Sequence, residues 1–248
     1  MTTASSSPAH HASHHHTRSY RYYDLIMAAF VCVLLCSNLI GPAKAAQVTL
    51  PLIGPVSFGA DLLFFPLSYI FGDILTEVYG YGRDRRVVWA GFTALAFAAF
   101  MAFVVVNLPP LRNEFMDVYQ KQIEGVFGNT WRIVAGSMIA FACGSFVNSF
   151  VLAKMKILTQ GKYLWARTIG STVVGQLVDT GLFFFIAFWG IWPQEQLYSV
   201  IVAQYLFKTA WEALMTPVTY RVVGFLKRVE GVDYYDTHTN FTPFSLKV

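Results

Sequence analysis

Long apolar stretches dominate this chain and restrict what it can fold into. Six of them follow a polar amino terminus, over residues 22–43, 58–80, 86–108, 130–154, 164–192 and 196–225. Each is close to or longer than the roughly 20 residues that a helix needs to cross a bilayer. The sequence therefore predicts an all-α polytopic membrane protein with six transmembrane helices.

The composition supports this prediction and argues against other classes of protein. Of the 248 residues, 55% are hydrophobic and 13% are charged, whereas a soluble domain carries about 25% charged residues. The net charge of +4 comes from Lys and Arg at the ends of apolar stretches, which is typical of membrane topology and not of a nucleic-acid surface. We expect a lipid bilayer and no nucleic acid among the partners. Cys32, Cys36 and Cys143 lie in apolar stretches, which predicts packing and not disulfides.

The basic residues also predict the orientation of the chain. With the amino terminus in the cytoplasm, about thirteen Lys and Arg residues lie on the cytoplasmic side, and four lie outside: Lys44, Arg112, Lys121 and Arg132. The positive-inside rule then predicts that both termini are cytoplasmic.

Three regions follow from this organisation. Residues 1–20 form a His- and Ser-rich tail that is predicted to be disordered,. Residues 21–230 form the six-helix transmembrane domain, and residues 231–248 form a cytoplasmic carboxy-terminal tail. The histidines of the first tail suggest either metal capture or a flexible extension. We favour the extension and predict no metal site.

The second apolar stretch contains two carboxylates, Asp73 and Glu77, four residues apart. Residues three or four apart share one face of a helix, so both lie in one stripe with Tyr69. A carboxylate at mid-bilayer costs roughly 2.5–3.5 kcal/mol, a cost that is tolerated where the group lines a cavity, pairs or binds something. The stripe therefore predicts a polar pocket within the membrane.

Other stretches supply polar residues for the same pocket. Gln176 and Asp179 share a helix face in the fifth, and Lys208 and Glu212 lie four residues apart in the sixth. Carboxylates with an amide and an ammonium suit a ligand rich in N–H donors and acceptors, such as a flat heterocycle with a guanine-like edge that also stacks on aromatic rings. The candidate substrate-binding residues are Asn38, Tyr69, Asp73, Glu77, Asn148, Gln176, Asp179, Lys208 and Glu212.

Several of these residues have structural alternatives. Lys208 either neutralises Glu212 on its own helix or, as we favour, an acid on another helix. Asn148 either binds ligand or joins helices by hydrogen bonds, and Tyr69 either binds ligand or packs. Glu77 lies close enough to the cytoplasmic edge to meet Arg83, Arg85 or Arg86 there, where Asp84 is expected to form a surface ion pair.

The motifs of the chain resemble those of the queuosine precursor transporters, a family also grouped as vitamin uptake transporters. The resemblance covers residues 22–230 and rests on matching residues in the same order: Asn38, Lys44, Pro66, Tyr69, Asp73, Glu77, Tyr79, Gly80, Arg85 or Arg86, Arg132, Ser137, Trp165, Arg167, Ser171, Gln176, Asp179, Lys208 and Pro217. The His-rich tail lies outside the family pattern.

The resemblance implies a multi-pass importer in the bacterial inner membrane that takes up 7-deazaguanines, chiefly 7-cyano-7-deazaguanine and its 7-aminomethyl relative, for queuosine in tRNA. It implies a fold similar to the substrate-binding component of energy-coupling-factor transporters. It also implies no ATPase of its own, no enzymatic activity and no cofactor.

Three rival interpretations remain for this sequence. The chain could be a vitamin- or nucleobase-binding membrane subunit that needs a separate energising module, or a scaffold whose polar residues only join helices. A membrane hydrolase is disfavoured because the sequence has neither a His-Glu-x-x-His nor a Gly-x-Ser-x-Gly motif,. If import is coupled to protons, the titrating group is Asp73, Asp179 or Glu212. The sequence leaves monomer and homodimer open.

Overall fold

The computed structural model of the protein describes residues 20–41, 45–50, 54–111, 113–128 and 131–245. The histidines of the predicted amino-terminal tail lie outside the described residues. The described residues form seven α-helices: α1 (Tyr23–Leu35), α2 (Phe65–Tyr79), α3 (Tyr81–Asn107), α4 (Glu114–Phe127), α5 (Trp131–Leu158), α6 (Leu164–Phe188) and α7 (Gln194–Glu230). A π-helical turn, Cys36–Ile40, continues α1, and a short 3-10 helix, Ala60–Leu63, precedes α2.

The fold is predominantly helical and has the apolar character of a membrane protein, as predicted. Four segments of the described chain are long and apolar enough to cross a bilayer: Tyr23–Ile40, Tyr81–Asn107, the run Glu114–Leu158, and Leu164–Phe188. The other two predicted spans correspond to α2, which has 15 residues, and to α7, which carries several charged residues along its 37-residue length. At 1.5 Å per residue α2 is roughly 22 Å long, less than the roughly 30 Å hydrocarbon core.

The prediction of one helix over residues 58–80 is wrong at its amino-terminal part. Strands β1 (Ala45–Leu50) and β2 (Gly54–Gly59) form an antiparallel hairpin in which Ala45 pairs with Gly59 and Leu50 with Gly54. Helix α2 begins only at Phe65, with Pro66 in its first turn, because proline has a helical φ and lacks the N–H that a first turn leaves unpaired.

Helix α4 lies between the third and fourth predicted apolar stretches, outside the six predicted spans. Its amino terminus is capped by Asn113, whose side chain accepts a hydrogen bond of 2.8 Å from the Met116 backbone N–H,. The Gln120 side chain donates to the Val106 carbonyl oxygen at 2.9 Å. These contacts hold α4 against the end of α3.

Helices α2 and α3 meet at Gly80, which has a φ of +87°. A side chain at this position would be strained and would also collide with the ring of Tyr234. The sharp turn buries Asp84 completely, beside Thr76 and Ser149. The prediction that Asp84 forms a surface ion pair is therefore wrong.

The carboxy-terminal segment, residues 231–245, packs against this turn. The Asp236 carboxylate accepts hydrogen bonds from the Tyr81 N–H at 3.1 and 3.2 Å. Arg85 donates to the carbonyl oxygens of Asn240 and Thr242 at 2.7 and 2.6 Å, and Trp89 donates to the Pro243 carbonyl at 2.7 Å. The segment therefore covers the start of α3.

The two ends of the helix bundle differ in the elements that they contain. The Glu230 carboxylate accepts hydrogen bonds from the backbone N–H groups of Arg21 and Tyr22 at 3.0 and 2.8 Å. The start of α1 and the end of α7 therefore meet at the end of the bundle that contains Gly80, which we call the terminal end. The opposite end contains the β-hairpin and α4, and we call it the hairpin end.

Candidate functional site

An ion pair between α6 and α7 forms the first part of the candidate site. Lys208 Nζ lies 3.1 Å from Asp179 Oδ2, and the two side chains are 11% and 4% exposed. The same ammonium lies 3.7 Å from the centroid of the Phe65 ring, which adds a cation–π contact,. The prediction that Lys208 neutralises an acid on another helix is confirmed, and its partner is Asp179, not Glu212.

Two adjoining cavities lie towards the hairpin end, and the smaller of them reaches this ion pair. The smaller, of about 70 Å³, is lined by Ser37, Asn38, Phe65, Ser137, Ala140, Asp179, Phe183 and Lys208. The larger, of about 260 Å³, lies among α3, the end of α4, and α5, and it shares Asn38, Ser137 and Phe183 with the smaller one. Ser137 Oγ donates to Asn38 Oδ1 at 2.6 Å. This hydrogen bond therefore stands at the junction of the two cavities.

A second polar cluster lies on α2, α5 and α7. Asn148 Nδ2 donates to Asp73 Oδ1 at 2.7 Å, and Asp73 is completely buried. The Glu212 carboxylate lies close enough to Asp73 for the two charges to interact. The Tyr69 hydroxyl is within the electrostatic influence of Asp179, Asp73 and Glu212, so it connects this cluster to the ion pair.

Many polar atoms of this second cluster have no hydrogen-bond partner among the described residues. They are Tyr69 Oη, Asp73 Oδ2, Asn148 Oδ1 and both carboxyl oxygens of Glu212, and Gln176 Oε1 on α6 is also without one. An unsatisfied buried polar group costs roughly 1–3 kcal/mol, so such groups are few in proteins and call for an explanation. Such atoms on neighbouring polar residues of several helices are consistent with a place where a ligand or water supplies the missing partners.

Gly144 allows the two clusters to approach each other. A methyl group at this position would lie 2.6 Å from both Asp179 Cβ and Tyr69 Oη. Real carbon atoms do not approach so closely in packed interiors. A residue without a side chain at position 144 is therefore needed to bring Tyr69 of α2 against Asp179 of α6.

Glu77 takes part in a third cluster, at the terminal end. Its carboxylate is completely buried, and its Oε1 lies 2.6 Å from Lys227, 3.1 Å from Arg167 and 3.4 Å from Lys156. The Asp233 carboxylate joins two of these cations, at 2.7 Å from Lys156 and 2.8 Å from Lys227. We call these five side chains the terminal cluster. Burial raises the pKa of Asp233, but hydrogen bonds and charge from the two ammonium groups outweigh it and hold that pKa below its usual range.

The structure thus divides the nine predicted site residues into groups. Asn38, Asp179 and Lys208 line the smaller cavity, and Tyr69, Asp73, Asn148, Gln176 and Glu212 are buried beyond it. Glu77 is set apart, and its partners are not the arginines that follow Gly80. The sequence did not indicate Lys156, Lys227 and Asp233 as neighbours of Glu77. All three lie near a helix end, and such a position alone does not identify a partner.

The chain is similar to known membrane transporters. A protein-family model described as "Putative vitamin uptake transporter" matches residues 60–222. A protein named "Probable queuosine precursor transporter" from Bacillus subtilis (strain 168) is 32% identical over 169 residues, which cover 68% of this chain and 69% of the relative. The "Queuosine precursor transporter" of Escherichia coli (strain K12) is 26% identical over 149 residues, which cover 58% and 62%. No solved structure matches the chain.

Proposed function

We propose that this chain, which belongs to the vitamin uptake transporter family, imports 7-deazaguanine precursors of queuosine. Membership of the family makes it a transporter and not an enzyme, and a multi-pass integral membrane protein. The named relatives supply the substrate class. We place the chain in the bacterial inner membrane, where import delivers the queuosine precursor to the cytoplasm.

The observation that carries the proposal is the Asp179–Lys208 pair in a cavity with two aromatic walls, Phe65 and Phe183. A 7-deazaguanine is flat and presents two adjacent N–H donors on one edge. A carboxylate accepts two parallel bonds from such an edge, while the heterocycle stacks on a phenyl ring. Asp179 is the carboxylate that lines this cavity together with both rings.

The other residues complete the proposed site. Gln176 and Asp73 supply acceptors to the heterocycle, and Lys208 balances the charge. Tyr69 and Asn148 orient these groups, and Asn38 gates the site through its hydrogen bond with Ser137. Opening this gate joins the two cavities, whose combined volume of about 330 Å³ lies just above the lower limit of about 300 Å³ for a small-molecule pocket,. We assign Glu77 to closing the terminal end, because three cations already engage it.

The proposed topology has six spans and both termini in the cytoplasm. It is supported by the contact of Glu230 with Arg21 and Tyr22, since two ends on one side require an even number of crossings. The excess of basic residues on that side supports its cytoplasmic position. The terminal end then faces the cytoplasm, and the two cavities are reached from outside.

Import is tested in bacterial cells that lack both deazaguanine synthesis and their own queuosine precursor transporter. Expression of the chain with 7-cyano-7-deazaguanine in the medium is expected to restore queuosine in tRNA. Asp73→Asn, and the double variant Asp179→Asn with Lys208→Met, are expected to abolish restoration at wild-type membrane levels. If both variants restore queuosine fully, the assigned residues do not form the substrate site.

The rival with a separate energising module is tested with purified protein. Proteoliposomes that contain the chain alone are expected to exchange internal 7-cyano-7-deazaguanine for labelled external compound. A chain that binds the compound but never moves it across the vesicle membrane would favour the rival. The mass of the same purified sample distinguishes a monomer from a homodimer.

A further inference from the structure

Three acids lie in the middle of the bundle, and their charge environments differ. Asp179 has the ammonium of Lys208 at 3.1 Å. Asp73 accepts one hydrogen bond, from Asn148. Glu212 is 1% exposed, and neither of its carboxyl oxygens has a hydrogen-bond partner among the described residues. Glu212 is therefore the least compensated acid of the three.

The groups that surround Glu212 do not stabilise a negative charge on it. Tyr69 and Asp73 on α2 lie within its electrostatic reach, and Lys208 lies four residues before it on α7. Asp73 is an acid, and Lys208 is already engaged by Asp179. An isolated carboxylate in an apolar interior takes up a proton because the ionised form is too costly there. A proton on the Glu212 carboxylate is therefore the cheapest way to hold this group in the bundle.

We infer that import is coupled to a proton and that Glu212 carries it. This inference rests on the import function proposed above and adds the ion that drives it. The proton enters from outside, binds a Glu212 carboxylate oxygen as an O–H group, and leaves to water when the site opens to the cytoplasm. One proton is moved inward for each deazaguanine, and the carboxylate is regenerated.

The chemistry of the substrate explains why proton and substrate travel together. The guanine-like edge presents a carbonyl oxygen beside its N–H donors. A protonated Glu212 has an O–H group that donates to such an acceptor, whereas the ionised form would repel it. Binding of the heterocycle and protonation of Glu212 therefore favour each other.

The position of Lys208 explains how the substrate-free transporter returns to its outward-facing state. Lys208 lies four residues before Glu212 on α7, so the two side chains share a helix face,. After the proton has left, the ammonium can compensate the Glu212 carboxylate as well as Asp179. The pocket then has one negative charge more than before, and a membrane potential that is negative inside favours its return outward.

The test uses the purified chain in proteoliposomes with labelled 7-cyano-7-deazaguanine. A pH gradient of one unit, acid outside, is expected to raise accumulation of the labelled compound about tenfold at zero potential. One pH unit is a tenfold ratio of proton activity, and one proton moves with each substrate molecule. For Glu212→Gln, which cannot release a proton, the ratio of uptake with and without the gradient is expected to fall to one, whatever its absolute rate. Glu195→Gln, an exposed position on the same helix, should keep the wild-type ratio.

The possible outcomes separate this inference from the proposed function. Wild-type protein that exchanges substrate but ignores the gradient would refute proton coupling and leave import intact. Protein that exchanges no deazaguanine at all would refute the proposed function itself. A wild-type ratio in Glu212→Gln would assign the proton elsewhere. A dye for lumenal pH tests the wild-type chain independently of any variant: added substrate must acidify the lumen, and a constant pH would overturn the inference.

Discussion

Asp179→Asn is expected to destabilise the protein because it leaves Lys208 as an unpaired cation within the bundle. The two charged atoms are 3.1 Å apart, and both side chains are nearly buried. Removing one partner of a buried ion pair costs about 3–5 kcal/mol. A change of 1 kcal/mol shifts Tm by roughly 2–4 °C in a chain of 150–250 residues, so we expect Tm to fall by roughly 6–20 °C.

The double variant with Lys208→Met separates stability from binding. Removing both charges takes away the uncompensated cation, and an apolar replacement of a buried pair is often neutral. We therefore expect most of the lost Tm to return while binding of 7-cyano-7-deazaguanine stays absent, because the Asp179 carboxylate is missing. Thermal unfolding in detergent and calorimetric binding measure the two effects.

Two results would contradict this reasoning. A wild-type Tm for Asp179→Asn would mean that the ion pair contributes nothing to the folded state. Wild-type affinity in the double variant would mean that Asp179 does not contact the substrate, whatever its effect on stability.

Three further predictions concern other parts of the molecule. Gly144→Ala is expected to cost about 1–3 kcal/mol by overpacking against Asp179, and to weaken calorimetric binding of 7-cyano-7-deazaguanine. Glu77→Gln leaves three cations without their shared carboxylate, so we expect a loss of about 3–5 kcal/mol, in detergent unfolding. Asp233 has a lowered pKa, so its stabilising effect is complete above its unfolded value of about 3.9 and is lost as the pH falls through the lower folded value. Limited proteolysis of residues 231–245 should therefore be slow at pH 5–8 in the wild type and faster in Asp233→Asn.

Each of these predictions has a matched control. A methyl group at Gly72, on the same helix as Asp73, would contact nothing within 4 Å, so Gly72→Ala should bind normally. Equal binding by both alanine variants would show that the close approach at Gly144 is not needed. Glu124→Gln, at an exposed site on α4, should leave Tm unchanged. An unchanged Tm for Glu77→Gln would show that the terminal cluster does not stabilise the protein. Equal proteolysis of wild type and Asp233→Asn at pH 7 would show that Asp233 does not hold the segment.

The sequence could predict that acids in the spans have partners, because an uncompensated charge in a bilayer is costly. It correctly gave Lys208 a partner on another helix. It could not predict which acid, since the choice between Asp73 on α2 and Asp179 on α6 depends on how α7 is rotated against these two helices. For the same reason it could not bring Lys156, Arg167 and Lys227 from three helix ends to Glu77.

The errors in the helix boundaries also have a physical reason. Residues 58–64 are apolar except for Asp61, and hydropathy alone does not distinguish the end of an apolar hairpin from the start of a span. Only Pro66 marked the true beginning of α2. The carboxy-terminal segment has no helical periodicity, so its contacts with Tyr81 and Arg85 left no pattern in the sequence.

The arrangement of the acids along the bundle suggests how the transporter opens. The cavities reach Asp179 from the hairpin end, whereas at the terminal end Glu77 holds α5, α6, α7 and residue Asp233 together through cations. On the proposed topology this is an outward-facing state, and inward opening must break the contacts of Glu77. Packed helix interfaces rearrange between discrete arrangements and do not deform continuously, so these contacts are either made or broken. The closed end is therefore one of two discrete states, and binding at Asp179 must favour the other state to move substrate.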